Sequence, residues 1–423
     1  MTARENDVAI LALALVCLGS AAQGQEWTRF RGPNGQGISR EPTMPVKWTE
    51  ADYDWQADLP GVGHSSPVIW GDRVFVTSGD QEAQRFYVLA FSVSDGKELW
   101  RREYPVTPYA MNRANSYATG SPSVDADHVY AVLPTPENTL LIALDHEGRE
   151  VWTSNFSGVY SQHGPASSTV VVGDLVVFSH EQRSRPEGDG EQSAWIAVDR
   201  KTGQVRWTCE RESGSKVSYS TPCVYTPEGG PPQLLFTSNA HGITGVDLET
   251  GQVIWEAKSA LPMRVVSSPV IAGDLVIGTC GTGGAGLRLV AVRAGTGDDP
   301  AVGEEVYETR GAQAPYVPTP LAVDGLLFTY HDRGDVSCMV AATGEVLWSE
   351  KPGGQFYGSP VWVDGKLYCI TRKGDVVVLR ASRSYELLAV NPLGEASYAT
   401  PAVAGGRMFL RTFSQLIALG AAT

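Results

Sequence analysis

Side chains that could bind a small molecule recur at one position of a repeated sequence pattern. A small residue followed by proline and a short apolar run occurs eight times, at Ser66-Pro67, Ser121-Pro122, Gly164-Pro165, Thr221-Pro222, Ser268-Pro269, Thr319-Pro320, Ser359-Pro360 and Thr400-Pro401. The residues three positions before these prolines are His64, Thr119, Gln162, Tyr219, Val266, Val317, Tyr357 and Tyr398. Tyrosine, histidine and glutamine combine apolar surface with hydrogen-bonding groups, which is typical of ligand sites.

These residues can form one site only if the repeats bring them together. Together with their near neighbours, they define a candidate ligand-binding set: His64, Gln162, His163, Tyr219, Arg264, Tyr316, Tyr357 and Tyr398. A quinone or a sugar would suit such an amphipathic lining. The alternative is that the same side chains form an aromatic collar that only plugs a channel.

No sequence motif indicates a catalytic or metal site. The patterns G-x-S-x-G and H-E-x-x-H and the Walker loop are absent, and the seven histidines are scattered without metal-ligand spacing. We therefore predict no catalytic residue and no metal ligand. The formal net charge of −14 argues against nucleic acid as a partner, because phosphate binding depends on lysine and arginine clusters.

The spacing of the repeats predicts the fold. Neighbouring copies lie about 40 to 57 residues apart, which is the length of a four-stranded propeller blade. Short β-rich runs separated by turn residues fill each copy, as from residue 360 to residue 390. Eight copies predict an all-β, eight-bladed β-propeller of four-stranded blades.

A second mark closes most of the repeats. Glycine and tryptophan recur with the spacing G-x-x-x-W, and Tyr307 replaces the tryptophan in the fifth repeat. Glycine permits a tight hairpin, and the fixed spacing predicts one shared packing role for the indoles between blades. The predicted docking tryptophans are Trp55, Trp100, Trp152, Trp207, Trp255 and Trp348.

Counting strands predicts how the ring closes. The last repeat, residues 398–419, has room for only three strands. Residues 53–59, which include Trp55, supply an extra strand before the first repeat. We expect this N-terminal strand to complete the last blade and so to remove the exposed sheet edges.

The N-terminal 52 residues divide into two parts. Residues 8–18 form an apolar run followed by small residues, which predicts a signal peptide over 1–24 that is cleaved after Gly24. Residues 25–52 form a leader, which begins with Trp27, and residues 53–423 form the propeller. The protein is expected to be periplasmic or secreted and monomeric, without a transmembrane segment. Trp27 lies outside the repeats and is expected to matter less for stability than the repeated tryptophans.

Five cysteines follow the predicted signal peptide: Cys209, Cys223, Cys280, Cys338 and Cys369. Their number is odd, no two are adjacent, and most lie in strand-like sequence. Buried thiols are therefore expected in preference to a disulfide framework.

The closing motif carries a family resemblance. Residues 197–207, AVDRKTGQVRW, match the motif A-x-D-x-x-T-G-x-x-x-W of pyrroloquinoline-quinone (PQQ) dehydrogenase-like propellers at every specified position. The resemblance covers roughly residues 53–419. Eight such blades after a signal peptide resemble the BamB-like, non-catalytic members, and the leader W-x-x-F-R-G-P-x-G-x-G resembles one found on exported proteins of this repeat class.

This resemblance implies a non-enzymatic binding or scaffold protein with a protein partner in the cell envelope. A small-molecule ligand in the central channel is the alternative, and PQQ with Ca²⁺ is one version of it. PQQ-dependent dehydrogenase activity is not expected, since the adjacent cysteines and the Ca²⁺-binding Glu/Asn/Asp set of the dehydrogenases are not recognisable in the sequence.

Overall fold

The computed structural model describes residues 26–185, 192–295 and 299–420. The predicted signal peptide and its cleavage site lie outside these residues. Within them the regular secondary structure consists of β-strands and three 3-10 turns, at Pro33–Gly35, Glu50–Asp52 and Gly311–Gln313. No helix in the described ranges is long and apolar enough to cross a membrane.

Eight sheets form the blades of a ring, and two short strands precede them. The first of these is β1 (Ile38–Ser39) and the second is β2 (Trp55–Asp58). From the axis outwards, blades 1 to 4 comprise β3 (Val68–Trp70), β4 (Arg73–Asp80), β5 (Arg85–Ser92), β6 (Glu98–Pro105); β7 (Ser123–Val124), β8 (His128–Pro134), β9 (Asn138–Asp145), β10 (Glu150–Ser157); β11 (Val170–Val172), β12 (Leu175–His180), β13 (Ser193–Asp199), β14 (Val205–Arg211); and β15 (Cys223–Tyr225), β16 (Gln233–Ser238), β17 (Gly242–Asp247), β18 (Val253–Ala257).

The remaining four blades follow the same order along the chain. They comprise β19 (Val270–Ala272), β20 (Leu275–Thr282), β21 (Ala285–Arg293), β22 (Glu304–Thr309); β23 (Leu321–Val323), β24 (Leu326–Tyr330), β25 (Val336–Val340), β26 (Val346–Glu350); β27 (Val361–Val363), β28 (Lys366–Ile370), β29 (Asp375–Arg380), β30 (Leu387–Pro392); and β31 (Ala402–Ala404), β32 (Arg407–Arg411), β33 (Gln415–Gly420). The predicted eight-bladed propeller of four-stranded blades is confirmed.

Burial explains why the repeats read as apolar runs and not as alternating patterns. The two middle strands of blade 1, β4 and β5, each contain six consecutive buried residues. Neighbouring blades cover both faces of these strands, so side chains on both faces are buried and most of them are apolar. The outer strand β6 is largely exposed and alternates between charged and half-buried residues.

The N-terminal strand closes the ring, as predicted. Strand β2 pairs antiparallel with β33, placing Trp55 opposite Ala418 and Asp58 opposite Gln415. Backbone bonds extend this pairing at both ends, from the Asp54 N–H to the Ala418 carbonyl and from the Leu59 N–H to the Ser414 carbonyl. Blade 8 therefore has four strands.

The third repeat corrects one element of the sequence interpretation. Its innermost strand begins at Val170, so the pair equivalent to the Ser-Pro pairs is Ser168-Thr169 and not Gly164-Pro165. The hydrogen bonds agree, since the Ser121 N–H donates to Ser168 Oγ at 2.9 Å. Gly164 and Pro165 instead lie in the approach to the strand, where Gly164 has φ +88°.

The repeated aromatic residues contact the hairpin glycine of the next blade. A methyl group on Gly148, Gly203, Gly251 or Gly344 would lie 2.5–2.6 Å from the ring of Trp100, Trp152, Trp207 or Tyr307 respectively, and Gly96 faces Trp55 in the same way. The polar edges of these rings donate to nearby carbonyls; Trp100 Nε1, for example, donates to the His146 carbonyl at 2.7 Å. Because glycine has no side chain, each ring can pack directly against the backbone of the hairpin.

Trp255 departs from this arrangement. Its Nε1 donates to Gln233 Oε1 within its own blade at 2.8 Å. Its ring faces Gly303, which occupies the corresponding place in blade 5.

The five cysteines after the predicted signal peptide are all buried and unpaired, which confirms the interpretation that they are thiols.

The leader runs beneath the ring and contacts the innermost strands of many blades. It reaches blade 1 through the Trp27–Ile69 backbone bridge and blade 2 through the bond from the Val124 N–H to the Thr28 carbonyl. Strand β1 then pairs in parallel with β27 of blade 7. Trp27 is 0% exposed, so tertiary contacts bury it completely, and its position outside the repeats gives no reason to expect it to matter less for stability than the repeated tryptophans.

Candidate functional site

A cavity of about 800 Å³ lies on the axis of the ring. On the way into each innermost strand, the chain runs from the mouth of the cavity towards its floor. It passes the mouth residues first and then the small residue and proline, after which the strand begins. The leader contacts lie beyond that point, as at Arg29, which donates to the Pro222 carbonyl, and Arg31, which donates to the Pro320 carbonyl at 2.8 Å. Phe30, between these two arginines, lines the cavity. The leader therefore forms the floor of the cavity, and the mouth lies at the opposite end.

A belt of eight hydroxyl groups surrounds the cavity above this floor. Its members are the small residues that precede each repeat proline or its equivalent: Ser66, Ser121, Ser168, Thr221, Ser268, Thr319, Ser359 and Thr400. In the described structure the backbone N–H of one member donates to the hydroxyl oxygen of the next, at 2.8–3.1 Å, across seven blade junctions. The repeat selects serine or threonine here because a short hydroxyl links neighbouring blades.

Aromatic rings cluster on one side of the mouth. The centroid of Tyr398 lies 4.8 Å from that of His64, 4.9 Å from that of Tyr357 and 5.0 Å from that of Phe413. Arg372 lies 4.3 Å from the centroid of the Tyr357 ring and 5.6 Å from that of Tyr398, close enough for cation–π contact with both. This cluster holds a guanidinium group at the rim.

Arg264 organises another part of the lining. Its guanidinium donates to Gln162 Oε1 at 2.5 Å and to the Tyr316 hydroxyl at 3.2 Å, although the residue is only 4% exposed. Tyr219 lies nearby, and its hydroxyl donates to the Gly164 carbonyl at 3.2 Å. The network fixes a second guanidinium in the cavity wall.

The protonation states of the lining follow from its burial. Burial, reinforced by the Arg411 guanidinium, lowers the pKa of His64 to about 3. Burial and the neighbouring Arg264 also lower the pKa of His163. Burial raises the pKa of Tyr219, Tyr316 and Tyr357, so their hydroxyls stay protonated at neutral pH. Both histidines are then neutral, and the arginines dominate the charge of the cavity.

Most of the predicted ligand-binding residues meet at this cavity. His64, His163, Tyr219, Arg264, Tyr316, Tyr357 and Tyr398 line it. Gln162 is the exception, because in the corrected register of the third repeat Ala166 takes its position and lines the cavity. Gln162 accepts a hydrogen bond from the Arg264 guanidinium. Whether these residues bind a ligand stays a prediction.

Sequence reasoning missed the residues that follow the second strand of some blades. Asp332 and Arg333 follow β24 and Arg372 follows β28, and all three line the cavity together with Arg113. A search limited to the start of each innermost strand could not find them. The useful signal was a charged residue two positions after the second strand of a blade, as at Asp332 and Arg372.

The lining does not fit a Ca²⁺ ion, which takes six to eight oxygen ligands. Asp332 is the carboxylate among the described cavity residues, and its two oxygens already accept the Tyr316 and Val317 N–H groups at 2.7 and 3.1 Å. The described residues contain no group of three or more His, Cys, Asp or Glu side chains placed to hold a metal. The described lining therefore does not fit PQQ held by Ca²⁺.

Comparisons with known proteins place the chain in a family. The family model described as outer membrane protein assembly factor BamB matches residues 84–318 and 299–423. Outer membrane protein assembly factor BamB of Yersinia pestis is 20% identical over 304 residues, which cover 69% of this chain and 59% of that protein. The match thus spans less than two thirds of the relative's length.

Solved structures share the fold at low sequence identity. BamB from Moraxella catarrhalis superposes with a TM-score of 0.57 at 15% identity, covering 86% of this chain and 97% of that one. Quinohemoprotein alcohol dehydrogenase from Comamonas testosteroni superposes with a TM-score of 0.66 at 13% identity, covering 96% of this chain and 82% of that one. The structural neighbours include both an assembly factor and a dehydrogenase, whereas the family model covers most of this sequence. The chain belongs to the BamB family of PQQ-repeat β-propellers.

Proposed function

We propose that this protein is a non-enzymatic binding protein of the cell envelope, exported by its predicted signal peptide, that holds a ligand in the mouth of its propeller channel. The observation that carries the proposal is the cavity of about 800 Å³ with a floor built from the leader. This volume falls within the range of roughly 300–1,000 Å³ that small-molecule sites occupy. An aromatic plug would fill the channel, whereas here the tyrosines stand around an open space.

The lining combines features that ligand sites use. Neutral tyrosine and histidine side chains provide apolar surface with hydrogen-bonding tips, and two guanidinium groups are held by their neighbours. Arg264 and Arg372 are fixed before any ligand arrives. Such preorganisation reduces the entropy lost on binding.

Analysis of the purified protein tests the proposal. Protein from its native host should release a bound small molecule on denaturation, detected by mass spectrometry in the supernatant. Val266 lines the cavity and its side chain makes no hydrogen bond, so Val266→Trp should fill the mouth and abolish the bound molecule. Val346→Trp, at an exposed position of the outer strand β26, is the matched control and should retain it. A wild-type protein that carries no ligand and binds none in solution would refute the proposal.

A scaffold role with a protein partner is the second candidate. The family match over residues 84–423 favours it, because the family is described as an outer membrane protein assembly factor. A photo-crosslinking residue in place of Gln355, which is exposed at the mouth, should then capture one envelope protein in cells. The same residue in place of Val390 on the outer strand β30 is the control. Equal or absent adducts at the two positions would exclude docking at the mouth.

A further inference from the structure

The hydroxyl belt presents hydrogen-bond donors to the cavity. Each bonded hydroxyl oxygen uses a lone pair to accept the N–H of the preceding blade, as Ser268 Oγ accepts from the Thr221 N–H at 3.0 Å. In the part of the chain that the structure describes, the seven bonded hydroxyls only accept hydrogen bonds, and none of them donates its proton to an acceptor. A hydroxyl whose oxygen is occupied in this way still has its proton to donate. The belt is therefore a ring of unused donors.

Cationic donors continue this pattern above the belt. Arg113, Arg264, Arg333 and Arg372 line the cavity, against the single described carboxylate of Asp332. The Asp332 oxygens are occupied by backbone N–H groups, and burial raises the pKa of this carboxyl. Among the described residues, Nε of Arg264 and of Arg372 has no hydrogen-bond partner. The cavity is positive inside a protein whose formal net charge is −14.

The shape of the aromatic cluster argues against a flat ligand. A planar ligand that stacks on both of its faces needs a slot between two parallel walls. The mouth rings are inclined to one another, by 40° for His64 and Tyr398, by 67° for Tyr357 and Tyr398 and by 89° for Tyr398 and Phe413. They offer single faces and edges, which suit the puckered, C–H-rich face of a sugar ring.

From these three observations we infer that the channel binds an acidic sugar, whose hydroxyl and ring oxygens face the hydroxyl belt and whose carboxylates pair with Arg264 and Arg372. The inference rests on the proposed function and specifies its ligand class. A cavity of about 800 Å³ has room for more than one sugar ring, so a uronic-acid disaccharide is the appropriate probe.

Calorimetric titration of the full chain provides the test. Digalacturonate and a glucuronate-containing disaccharide are each compared with their methyl esters, which keep the rings and lose the charge. At least one acid should bind about tenfold more tightly than its ester, since a hydrogen bond to a charged group contributes that much affinity. Added salt should weaken the binding of the acid more than that of the ester.

Variants assign the effect to the cavity. Arg264→Gln and Arg372→Gln should each lower the affinity for the acid by about tenfold and leave the weak binding of the ester nearly unchanged. Arg380→Gln is the matched control, because Arg380 pairs with Glu386 on the exposed outer part of blade 7. Arg372→Lys, which retains the charge, should keep part of the affinity and separates loss of charge from loss of folding.

The outcomes distinguish this inference from the proposed function. Equal binding of acid and ester, or acid binding unaffected by both arginine variants, would overturn the inference. If neither acid binds but the native protein releases a different molecule that Val266→Trp loses, the inference falls and the proposed function stands. If the native protein carries no ligand and neither acid binds, both are refuted.

Discussion

Replacing Gly251 with alanine tests the contact between neighbouring blades directly. Gly251 has φ +72°, and a methyl group there would lie 2.6 Å from two carbons of the Trp207 indole. Gly273→Ala is the matched control, because Gly273 has a similar φ of +66° and nothing within 4 Å of the added methyl. The two substitutions share the backbone strain and differ in the indole.

The structure sets the expected magnitudes. A non-glycine residue in the left-handed region costs roughly 1–2 kcal/mol, which is the whole expected effect of Gly273→Ala. Overpacking adds roughly 1–3 kcal/mol, so Gly251→Ala should destabilise by about 2–5 kcal/mol. Trp207 is 7% exposed, and Trp207→Ala should cost roughly 3–5 kcal/mol through the cavity that it leaves.

A double-mutant cycle measured by urea unfolding isolates the contact. In the Trp207→Ala background the methyl group at residue 251 meets no ring, so Gly251→Ala should cost no more than Gly273→Ala does in the wild type. The coupling energy should be about 1–3 kcal/mol. If the two glycine substitutions are equally costly in the wild type, or if the excess persists without the indole, the packing role inferred for the repeated tryptophans is wrong.

Three further predictions concern closure, the leader and pH. Deleting residues 53–59 should expose the edge of β33 and abolish the single cooperative melt, and an unchanged calorimetric transition would exclude the closure role. Trp27→Ala should destabilise by roughly 3–5 kcal/mol in urea unfolding, as Trp207→Ala does, because Trp27 is fully buried; a cost below about 1 kcal/mol would contradict this. Burial lowers the folded pKa of His64 to about 3, below its unfolded value of about 6.5, so its contribution to stability is lost as pH falls below about 6.5. His64→Gln should therefore flatten the decline in unfolding free energy between pH 7 and pH 5, and an identical pH dependence in both proteins would show that His64 does not titrate on unfolding.

The repeat pattern was sufficient to predict the fold because each blade is encoded locally. The small-residue–proline pair and the G-x-x-x-W spacing report hairpins and packing positions within one repeat, and the strand count then gave the closure by β2. The third repeat was misassigned because Gly164-Pro165 resembles the small-residue–proline pair and lies four residues before the true pair, Ser168-Thr169, which precedes the strand start at Val170. The local amino-acid sequence cannot show which of two similar dipeptides directly precedes the strand.

The floor of the cavity could not be predicted, because its contacts join distant parts of the chain. Arg29 bonds to Pro222 across 193 residues and Arg31 to Pro320 across 289. The leader carries no repeat signal, so no register assigned it to the axis. Arg372 was missed for a different reason: it follows the second strand of blade 7, whereas the candidate residues were taken from positions just before the innermost strand of each blade.

The connections of the leader also determine when this protein can fold. The Trp48 N–H donates to Asn391 Oδ1 across 343 residues, and β2 pairs with the last described strand, β33. The first residues of the propeller therefore find their partners only after nearly the whole chain has been synthesised. Native contacts of such sequence separation make folding slow, and they leave the edges of blades 1 and 8 exposed in the meantime. The N-terminal strand therefore stays unpaired, and the chain open and threadable, until residues 415–420 have been synthesised.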